Sequence, residues 1–266
     1  MIERENDQRL APYGHVGDPR WLEVRGLFVA EGRLVVERLL THGGYRIASI
    51  LLTPPAFAAL GPAISSRDDV LVASQAIVNR VTGFNFHRGC LAVVHRPEPA
   101  DLDRVVAAAR TLVVLEGVGN PDNVGGIFRS AIALGVGGVL LDPTCGDPWY
   151  RKALRTSMGA VLRLPFVRVD PWPAELGRLR PLGFRVVALS PSGSITIDEC
   201  AARLDGTPRI AFMAGAEGPG LSDAAIAHAD MTVRIPVDPL TDSLNVVVAV
   251  AIALARIRPV GSNPSC

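Results

Sequence analysis

The sequence has few of the residues from which metal centres and disulfide frameworks are built. Its 266 residues include 4 cysteines and 5 histidines. The histidines show no metal-ligand spacing, and no C-x-x-C pair occurs among the cysteines, which are Cys90, Cys145, Cys200 and Cys266. This pattern predicts no metal site and no disulfide framework, and a reducing compartment is the expectation.

Long apolar runs and net charge are also lacking. The longest apolar run, residues 246–255, is about half the length that a membrane-spanning helix requires. Residues 1–20 are charged and polar, unlike a signal peptide. We therefore expect a soluble cytoplasmic protein with no membrane partner. The formal net charge is +1, so total charge does not indicate a nucleic-acid binder and any basic surface must be local.

Lysine is nearly absent, and arginine carries almost all of the positive charge. Lys152 is the only lysine among 27 basic residues. Arginine suits bidentate contacts with phosphate. The same bias also fits a general composition rich in Ala, Gly, Val and Pro, so the arginines alone do not decide the function.

The length predicts two domains, because a chain of this size is long for one ordinary domain. Residues 96–101 contain two prolines and mixed charges and are predicted to be a linker. This places an N-terminal domain at residues 1–100 and a C-terminal domain at 101–266. The first is predicted to be a small α/β unit, with a helix after residue 32, a helix at 74–81, and strands at 47–52, 70–73 and 90–95.

The second domain alternates buried strands with helices, which is typical of a parallel sheet covered on both faces. The predicted strands are 111–115, 138–141, 166–169 and 184–189, and the predicted helices are 123–134, 151–162 and 173–182. Residues 115–122, after the first strand, lack the third glycine of a G-x-G-x-x-G fingerprint and carry a proline. This argues against a conventional dinucleotide site, such as that of a dehydrogenase.

Residues 214–254 are predicted to form a pocket built largely from main chain. A buried strand runs into a loop with three glycines, then a short helix, a second strand that ends at Ile235 and Pro236, and an apolar helix opened by residues 243–245. Glycine lets the backbone approach a ligand closely, and helix starts offer free N–H groups. Residues 259–266 are expected to fray.

Three motifs in this order resemble the SpoU/TrmH family of RNA ribose 2′-O-methyltransferases. The first is NVGGIFRSA at residues 123–131, the second is GAEGPGLS at 215–222, and the third combines Ile235 and Pro236 with SLNV at 243–246 and Ala249. One such match would be weak, but three in the family order make chance a poor explanation.

The resemblance implies a fold and an activity. The fold would be a C-terminal parallel-sheet domain with a deep trefoil knot, preceded by a small α/β domain similar to a ribosomal RNA-binding protein. The activity would be S-adenosylmethionine-dependent methylation of a ribose 2′-hydroxyl in structured RNA, with 23S-type ribosomal RNA favoured over transfer RNA. Family members work as homodimers through the knot and the last helix. The alternatives are a transfer RNA 2′-O-methyltransferase and a non-catalytic, ribosome-associated RNA-binding factor on the same fold.

The resemblance also assigns residues to roles. S-adenosylmethionine would be held by Leu189, Gly215, Gly220, Ile235 and Leu244, and catalysis would involve Asn123, Arg129, Glu217, Ser243 and Asn245. We expect Arg129 to clamp the target phosphate and stabilise the developing alkoxide, because a guanidinium essentially never releases its proton. The general base is then absent, or comes from the RNA or from water.

Each of these assignments has a structural alternative. Ile235 and Leu244 could be core residues, Arg129 a surface arginine, Glu217 a structural acceptor, and Ser243 and Asn245 helix caps.

Further residues are expected to contact RNA or to support the pocket. Arg33 and Arg88 in the first domain would face the RNA together with Arg129, although Arg33 could equally be a solvated helix charge. Ser157 and Gly159 match a family helix that supports the pocket.

Overall fold

The computed structural model describes residues 2–238, 240–241 and 243–257. Cys266 and the predicted fraying of residues 259–266 lie outside this range. The chain divides into two compact units: unit 1 comprises Met1–Glu98 and Pro148–Leu162, and unit 2 comprises Pro99–Asp147 and Arg163–Cys266. No helix in the described part of the chain is both long enough and apolar enough to cross a membrane.

Strands and helices alternate along most of the described chain. The strands are β1 (Leu27–Glu31), β2 (Ile47–Leu52), β3 (Val70–Val72), β4 (Cys90–His95), β5 (Thr111–Glu116), β6 (Gly138–Leu141), β7 (Phe166–Arg168), β8 (Arg185–Leu189), β9 (Ile195–Thr196), β10 (Ile210–Gly215) and β11 (Met231–Arg234). The α-helices are α1 (Pro19–Val24), α2 (Arg33–His42), α3 (Pro54–Leu60), α4 (Gln75–Thr82), α5 (Leu102–Ala108), α6 (Pro121–Ala133), α7 (Arg151–Thr156), α8 (Ile197–Arg203), α9 (Asp223–Ile226) and α10 (Val246–Arg256). Shorter 3-10 helices span Gln8–His15, Gly61–Ala63, Ala160–Leu162 and Ala174–Arg178.

Unit 1 is built on a four-stranded sheet in the order β1-β4-β2-β3. Strand β4 is antiparallel to both of its neighbours, and β3 is parallel to β2. Strands β2 and β4 have the predicted bounds. Ser74, which precedes helix α4, accepts a hydrogen bond from the Ile77 N–H, and Gly83, which follows the helix, has a φ of +77°. The side chain and the left-handed glycine are ordinary start and stop signals of a helix.

Residues 148–162 cluster with unit 1, although the sequence prediction placed them in the C-terminal domain. The ring of Trp149 stacks on Phe28 at 4.7 Å, and the Tyr45 hydroxyl donates to the Leu162 carbonyl at 2.9 Å. The helix predicted at 151–162 ends at Thr156, because Met158 and Gly159 have φ of +52° and +79°. Left-handed backbone at two consecutive residues cannot continue a right-handed helix.

Unit 2 is built on a seven-stranded sheet in the order β7-β6-β5-β10-β8-β11-β9. Every pair of neighbours in it is parallel, which confirms the predicted α/β fold with a parallel sheet. Strands β5, β6 and β10 are almost entirely buried, as their continuous apolar sequences predict. The helix predicted at 173–182 is instead the short 3-10 helix Ala174–Arg178, and Gly177 and Pro181 do not support a longer regular helix.

Helices α6 and α10 approach each other closely in unit 2. A Cβ added at Gly126 of α6 would lie 3.0 Å from the side chain of Val247 in α10. Helix α6 starts two residues earlier than predicted, since Asn120 caps it and Pro121 occupies its first turn. A proline is tolerated there because the first N–H groups of a helix have no intrahelical partner. This contact brings the first and third motifs together.

Candidate active site

A cavity of about 250 Å³ lies in unit 2 where strands β8 and β10 end. The described residues that line it come from the ends of β8, β10 and β11, from the glycine loop after β10, and from the start of α10: Leu189, Ser190, Pro191, Ala214, Gly215, Ala216, Glu217, Gly218, Gly220, Val233, Ile235, Val237, Ser243, Leu244, Val246 and Ala249. Ligands of open parallel sheets bind at the carboxyl ends of the strands. All five residues expected to hold the cofactor are in this lining, and so are Glu217 and Ser243.

The glycine loop closes tightly on itself. The Gly220 N–H donates to the Ala216 carbonyl at 3.0 Å, and Gly218 and Gly220 have φ of +92° and +71°. A Cβ at Gly215 would lie 2.1 Å from the Gly220 carbonyl carbon. Only glycine therefore allows the strand end and the end of the loop to approach this closely.

Glu116, the last residue of β5, holds the far end of this loop. Its carboxylate accepts from the Ser222 N–H at 2.7 Å, from the Ser222 hydroxyl at 2.8 Å and from the Trp172 indole N–H at 2.7 Å. Ser222 in turn caps α9 by accepting from the Ala225 N–H at 3.1 Å. Sequence reasoning assigned no role to Glu116, because its partner Ser222 lies 106 residues away along the chain.

Asn245 joins the three motifs through hydrogen bonds. Its side-chain Nδ2 donates to Asn123 Oδ1 at 3.1 Å and to Glu217 Oε1 at 2.5 Å. Its Oδ1 accepts from the Val247 N–H at 2.9 Å, so the same side chain also caps α10. Asn123, on α6, is 8% exposed. Asn245 thus has the capping role named as its structural alternative, and the same side chain contacts Asn123 and Glu217, two of the residues that the resemblance assigns to catalysis.

Arg129 stands apart from this network. Its side chain is exposed on α6, and it makes no hydrogen bond or ion pair with the residues that the structure describes. It does not line the cavity. Asn123 and Arg129 are six positions apart on the helix, so they do not share a face. The guanidinium is therefore available to a partner outside this chain.

The other predicted RNA contacts lie in unit 1. Arg33 is 59% exposed and lies 3.4 Å from Glu37, while Arg88 is 54% exposed and lies 3.3 Å from Glu31. Ser157 and Gly159 were expected to support the pocket. Both belong to unit 1 and neither lines the cavity; Ser157 is buried and donates to the Leu154 carbonyl at 2.9 Å.

Two features near the strand ends were missed by sequence reasoning. A Cβ at Gly193 would lie 2.3 Å from the Val233 carbonyl carbon, so the turn after β8 packs directly against β11. Asp142, after β6, accepts from the N–H groups of Thr144 and Cys145 at 3.0 and 2.7 Å. Burial alone would raise the pKa of Asp142, but hydrogen bonds from the side chains of Thr144 and Cys145, and from the N–H groups of Gly117 and Cys145, outweigh it and hold the pKa below its usual value.

Acidic and sulfur side chains are sparse among the described residues that line the cavity. No group of three or more His, Cys, Asp or Glu residues that could hold a metal ion occurs within the described ranges. Burial raises the pKa of the Cys90 and Cys145 thiols to about 12, so both are protonated at neutral pH. The polar groups that the described lining residues offer to the cavity are main-chain groups, the carboxylate of Glu217 and the hydroxyls of Ser190 and Ser243.

Known proteins are similar to this chain in sequence and in fold. A model of the SpoU rRNA Methylase family matches residues 110–255. An uncharacterized tRNA/rRNA methyltransferase of Mycobacterium bovis is 42% identical over 239 residues, which cover 86% of this chain and 80% of that protein.

Solved structures of methyltransferases are also similar to this chain. The SpoU methyltransferase AviRb of Streptomyces viridochromogenes, in complex with AdoMet, has a TM-score of 0.79 and 25% identity, covering 94% of this chain and 97% of its own. An RNA 2′-O ribose methyltransferase has a TM-score of 0.77 and 25% identity, covering 96% of each chain. Because the family model spans more than half of the chain and a close relative covers most of it, this protein belongs to the SpoU family of RNA methyltransferases.

Proposed function

We propose that this protein methylates a ribose 2′-hydroxyl of structured RNA with S-adenosylmethionine as donor, and that the RNA is ribosomal and of the 23S type. The observation that carries the proposal is the junction at Asn245, which connects Asn123 of the first motif with Glu217 of the second from within the third. These residues would be catalytic, together with Arg129 and Ser243. Glu217, one member of this junction, also lines the cavity proposed for the methyl donor.

The lining of the cavity fits S-adenosylmethionine. Leu189, Ile235 and Leu244 offer apolar side chains to an adenine ring, and main-chain groups of the loops offer both donors and acceptors to its edge. Gly215 and Gly220 give the donor close access to the backbone. Glu217 is the only charged side chain among the described lining residues, and its carboxylate complements the positive sulfur. The AviRb structure, which contains AdoMet, supports the same choice of ligand.

When bound, S-adenosylmethionine supplies a methyl group on a sulfonium, and attack by the ribose oxygen breaks the carbon–sulfur bond. Arg129 would hold the adjacent phosphate and stabilise the negative charge that develops on the oxygen. Because its guanidinium does not release a proton, the hydroxyl proton leaves to water or to the RNA. Asn245 holds Glu217 and Asn123 in fixed positions, which lowers the barrier through orientation.

The proposal extends to the architecture. Unit 1 would be the substrate-binding domain, similar to a ribosomal RNA-binding protein, and the C-terminal part of unit 2 would be threaded as the trefoil knot. Two copies would associate through α10 and the preceding loop, where Val248 and Leu240 are 45% and 96% exposed. The family resemblance carries this part of the proposal, and the association would cover both side chains.

The test is methyl transfer from radiolabelled S-adenosylmethionine to unmodified total RNA, followed by mapping of alkali-resistant linkages. We expect label at one such linkage in ribosomal RNA. Arg129→Ala should abolish transfer without changing donor binding. The matched control is Arg104→Ala, which removes an exposed arginine from α5 of the same unit. Label in transfer RNA would correct the substrate, label on a base would refute 2′-O chemistry, and equal rates for the two variants would refute the role of Arg129.

A further inference from the structure

Unit 1 holds a cluster of three arginines around one buried carboxylate. Glu31, at the end of β1, has a side chain that is 4% exposed. Its Oε2 accepts from Arg151 Nη1 at 2.7 Å, and its Oε1 accepts from Arg155 Nη1 at 3.2 Å. Arg88 Nε lies 3.3 Å from the same Oε1. We call these four residues the Glu31 cluster.

The positive charge of the Glu31 cluster exceeds what its carboxylate requires. One arginine can satisfy a carboxylate through two parallel hydrogen bonds. Here three guanidinium charges face one carboxylate, which leaves a formal charge of +2. Bringing extra cations to one place costs free energy through mutual repulsion, so an ion pair that only holds the fold together would not need them.

The arginines also retain unused hydrogen-bond donors. Arg151 Nε is fully buried and has no hydrogen-bond partner among the described residues. Its guanidinium lies over the ring of Phe84, 4.9 Å from the centroid, which fixes its plane. A buried N–H without an acceptor costs free energy and marks a position where an acceptor is missing. Each guanidinium has five donors in a planar fork.

The cluster is accessible from solvent. The side chains of Arg88, Arg155 and Arg151 are 54%, 30% and 21% exposed. Partly exposed guanidinium groups, the buried N–H of Arg151 Nε and the excess positive charge together suit an anion with several oxygen atoms. A phosphodiester of RNA has this chemistry, and arginine is the residue that recognises it best.

We propose that the Glu31 cluster is a binding site for the phosphate backbone of the substrate RNA. Arg88, Arg151 and Arg155 contact the phosphates, and Glu31 positions the three guanidinium groups. The proposal rests on the proposed function, because it makes RNA the ligand. It adds to unit 1 two RNA contacts, Arg151 and Arg155, which lie 50 and 54 residues beyond the end of the predicted linker at 96–101.

The test measures how RNA binding depends on salt. A fluorescein-labelled RNA stem–loop is titrated with the full-length protein at several KCl concentrations, and anisotropy is recorded. For Arg88→Gln combined with Arg155→Gln, we expect affinity at low salt to fall roughly tenfold per lost charge-assisted contact. We expect the slope of log K against log[KCl] to become shallower by about 0.7 to 0.9 per lost phosphate contact. Arg88→Lys should retain the slope, because the charge is kept.

Arg80→Gln is the matched control. Arg80 belongs to the same unit, is 67% exposed and pairs with the exposed carboxylate of Glu5 at 2.9 Å. Its loss should leave both affinity and slope unchanged. Circular dichroism and the thermal midpoint establish that each variant is folded; if the double variant unfolds, Arg88→Gln alone carries the test, since its side chain is mostly in solvent.

A folded Arg88→Gln or double variant with the wild-type slope overturns the inference. If the wild-type protein nevertheless methylates RNA, the proposed function stands and only the inference about the Glu31 cluster fails. If RNA binds through the cluster but no RNA accepts a methyl group, the proposed function fails instead. Calorimetry with inorganic phosphate forms a second arm: saturable phosphate binding together with an unchanged RNA slope would assign the cluster to a free anion and overturn the RNA contact.

Discussion

Replacing Gly215 by alanine should disable the proposed cofactor pocket while leaving the fold intact. The added Cβ would lie 2.1 Å from the carbonyl carbon of Gly220, 2.2 Å from its oxygen and 2.4 Å from the Leu221 nitrogen. All three are backbone atoms, so no flexible side chain can move aside. The φ of Gly215 is not positive, so alanine is compatible with the local backbone and the effect is purely steric.

The required movement can be worked out from these distances. Ordinary contact begins at 3.4 Å, so the end of the loop must withdraw by about 1.3 Å, the difference between 3.4 and 2.1 Å. A misplacement of roughly 1 Å can cost about a hundredfold in rate. Crowding of this kind also lowers the free energy of unfolding by about 1–3 kcal/mol. We therefore expect folded protein, weaker binding of S-adenosylmethionine and a rate of methyl transfer about a hundredfold lower.

Isothermal titration with S-adenosylmethionine and initial rates of methyl transfer measure the two effects. Gly218→Ala is the matched control in the same loop: a Cβ there meets nothing within 4 Å, but φ is +92°. It tests backbone strain alone, which costs about 1–2 kcal/mol, and should reduce donor affinity much less. Wild-type donor affinity in a folded Gly215→Ala protein would refute the argument that this close approach shapes the pocket.

Three further changes test other parts of unit 2. Asn245→Ser keeps a hydroxyl that can cap α10 but is too short to reach Asn123 and Glu217 together; the urea midpoint should stay near that of the wild type while methyl transfer falls, and an unchanged rate would show that the junction is dispensable. In Glu116→Gln, the new amide N–H group faces one of the three N–H and O–H groups that the carboxylate accepts from. The free energy of unfolding should therefore fall by about 1 kcal/mol, which is less than for a fully buried site because Ser222 is exposed. The affinity for S-adenosylmethionine should fall with it, and equal denaturation curves would contradict this. Because the pKa of Asp142 is lower in the folded protein than the 3.8 of the unfolded chain, its carboxylate stabilises the fold at any pH above 3.8. This contribution is lost as the pH falls through the pKa of the folded state. Asp142→Asn should therefore be less stable than the wild type at neutral pH, with the difference in urea denaturation shrinking in acid; a constant difference would refute the assignment.

Local patterns predicted much of both sheets. Strands β2, β4 and β6 have the predicted bounds, because continuous apolar runs ended by Gly, Pro or polar residues indicate buried strands. The helix predicted at 173–182 was wrong and the one at 151–162 was too long. In both cases the apolar positions fit a helix, but glycine or left-handed backbone ended it early.

The sequence by itself determined the family, the order of the motifs and most residues of the cavity, since glycine loops and helix starts depend on neighbours along the chain. Only the tertiary structure decided that Glu116 holds Ser222, that Asn245 links Asn123 to Glu217, and that residues 148–162 pack in unit 1. These contacts join residues from 28 to more than 120 positions apart. Such pairs leave no periodic signal, because the folding of the whole chain, and not local conformation, brings them together.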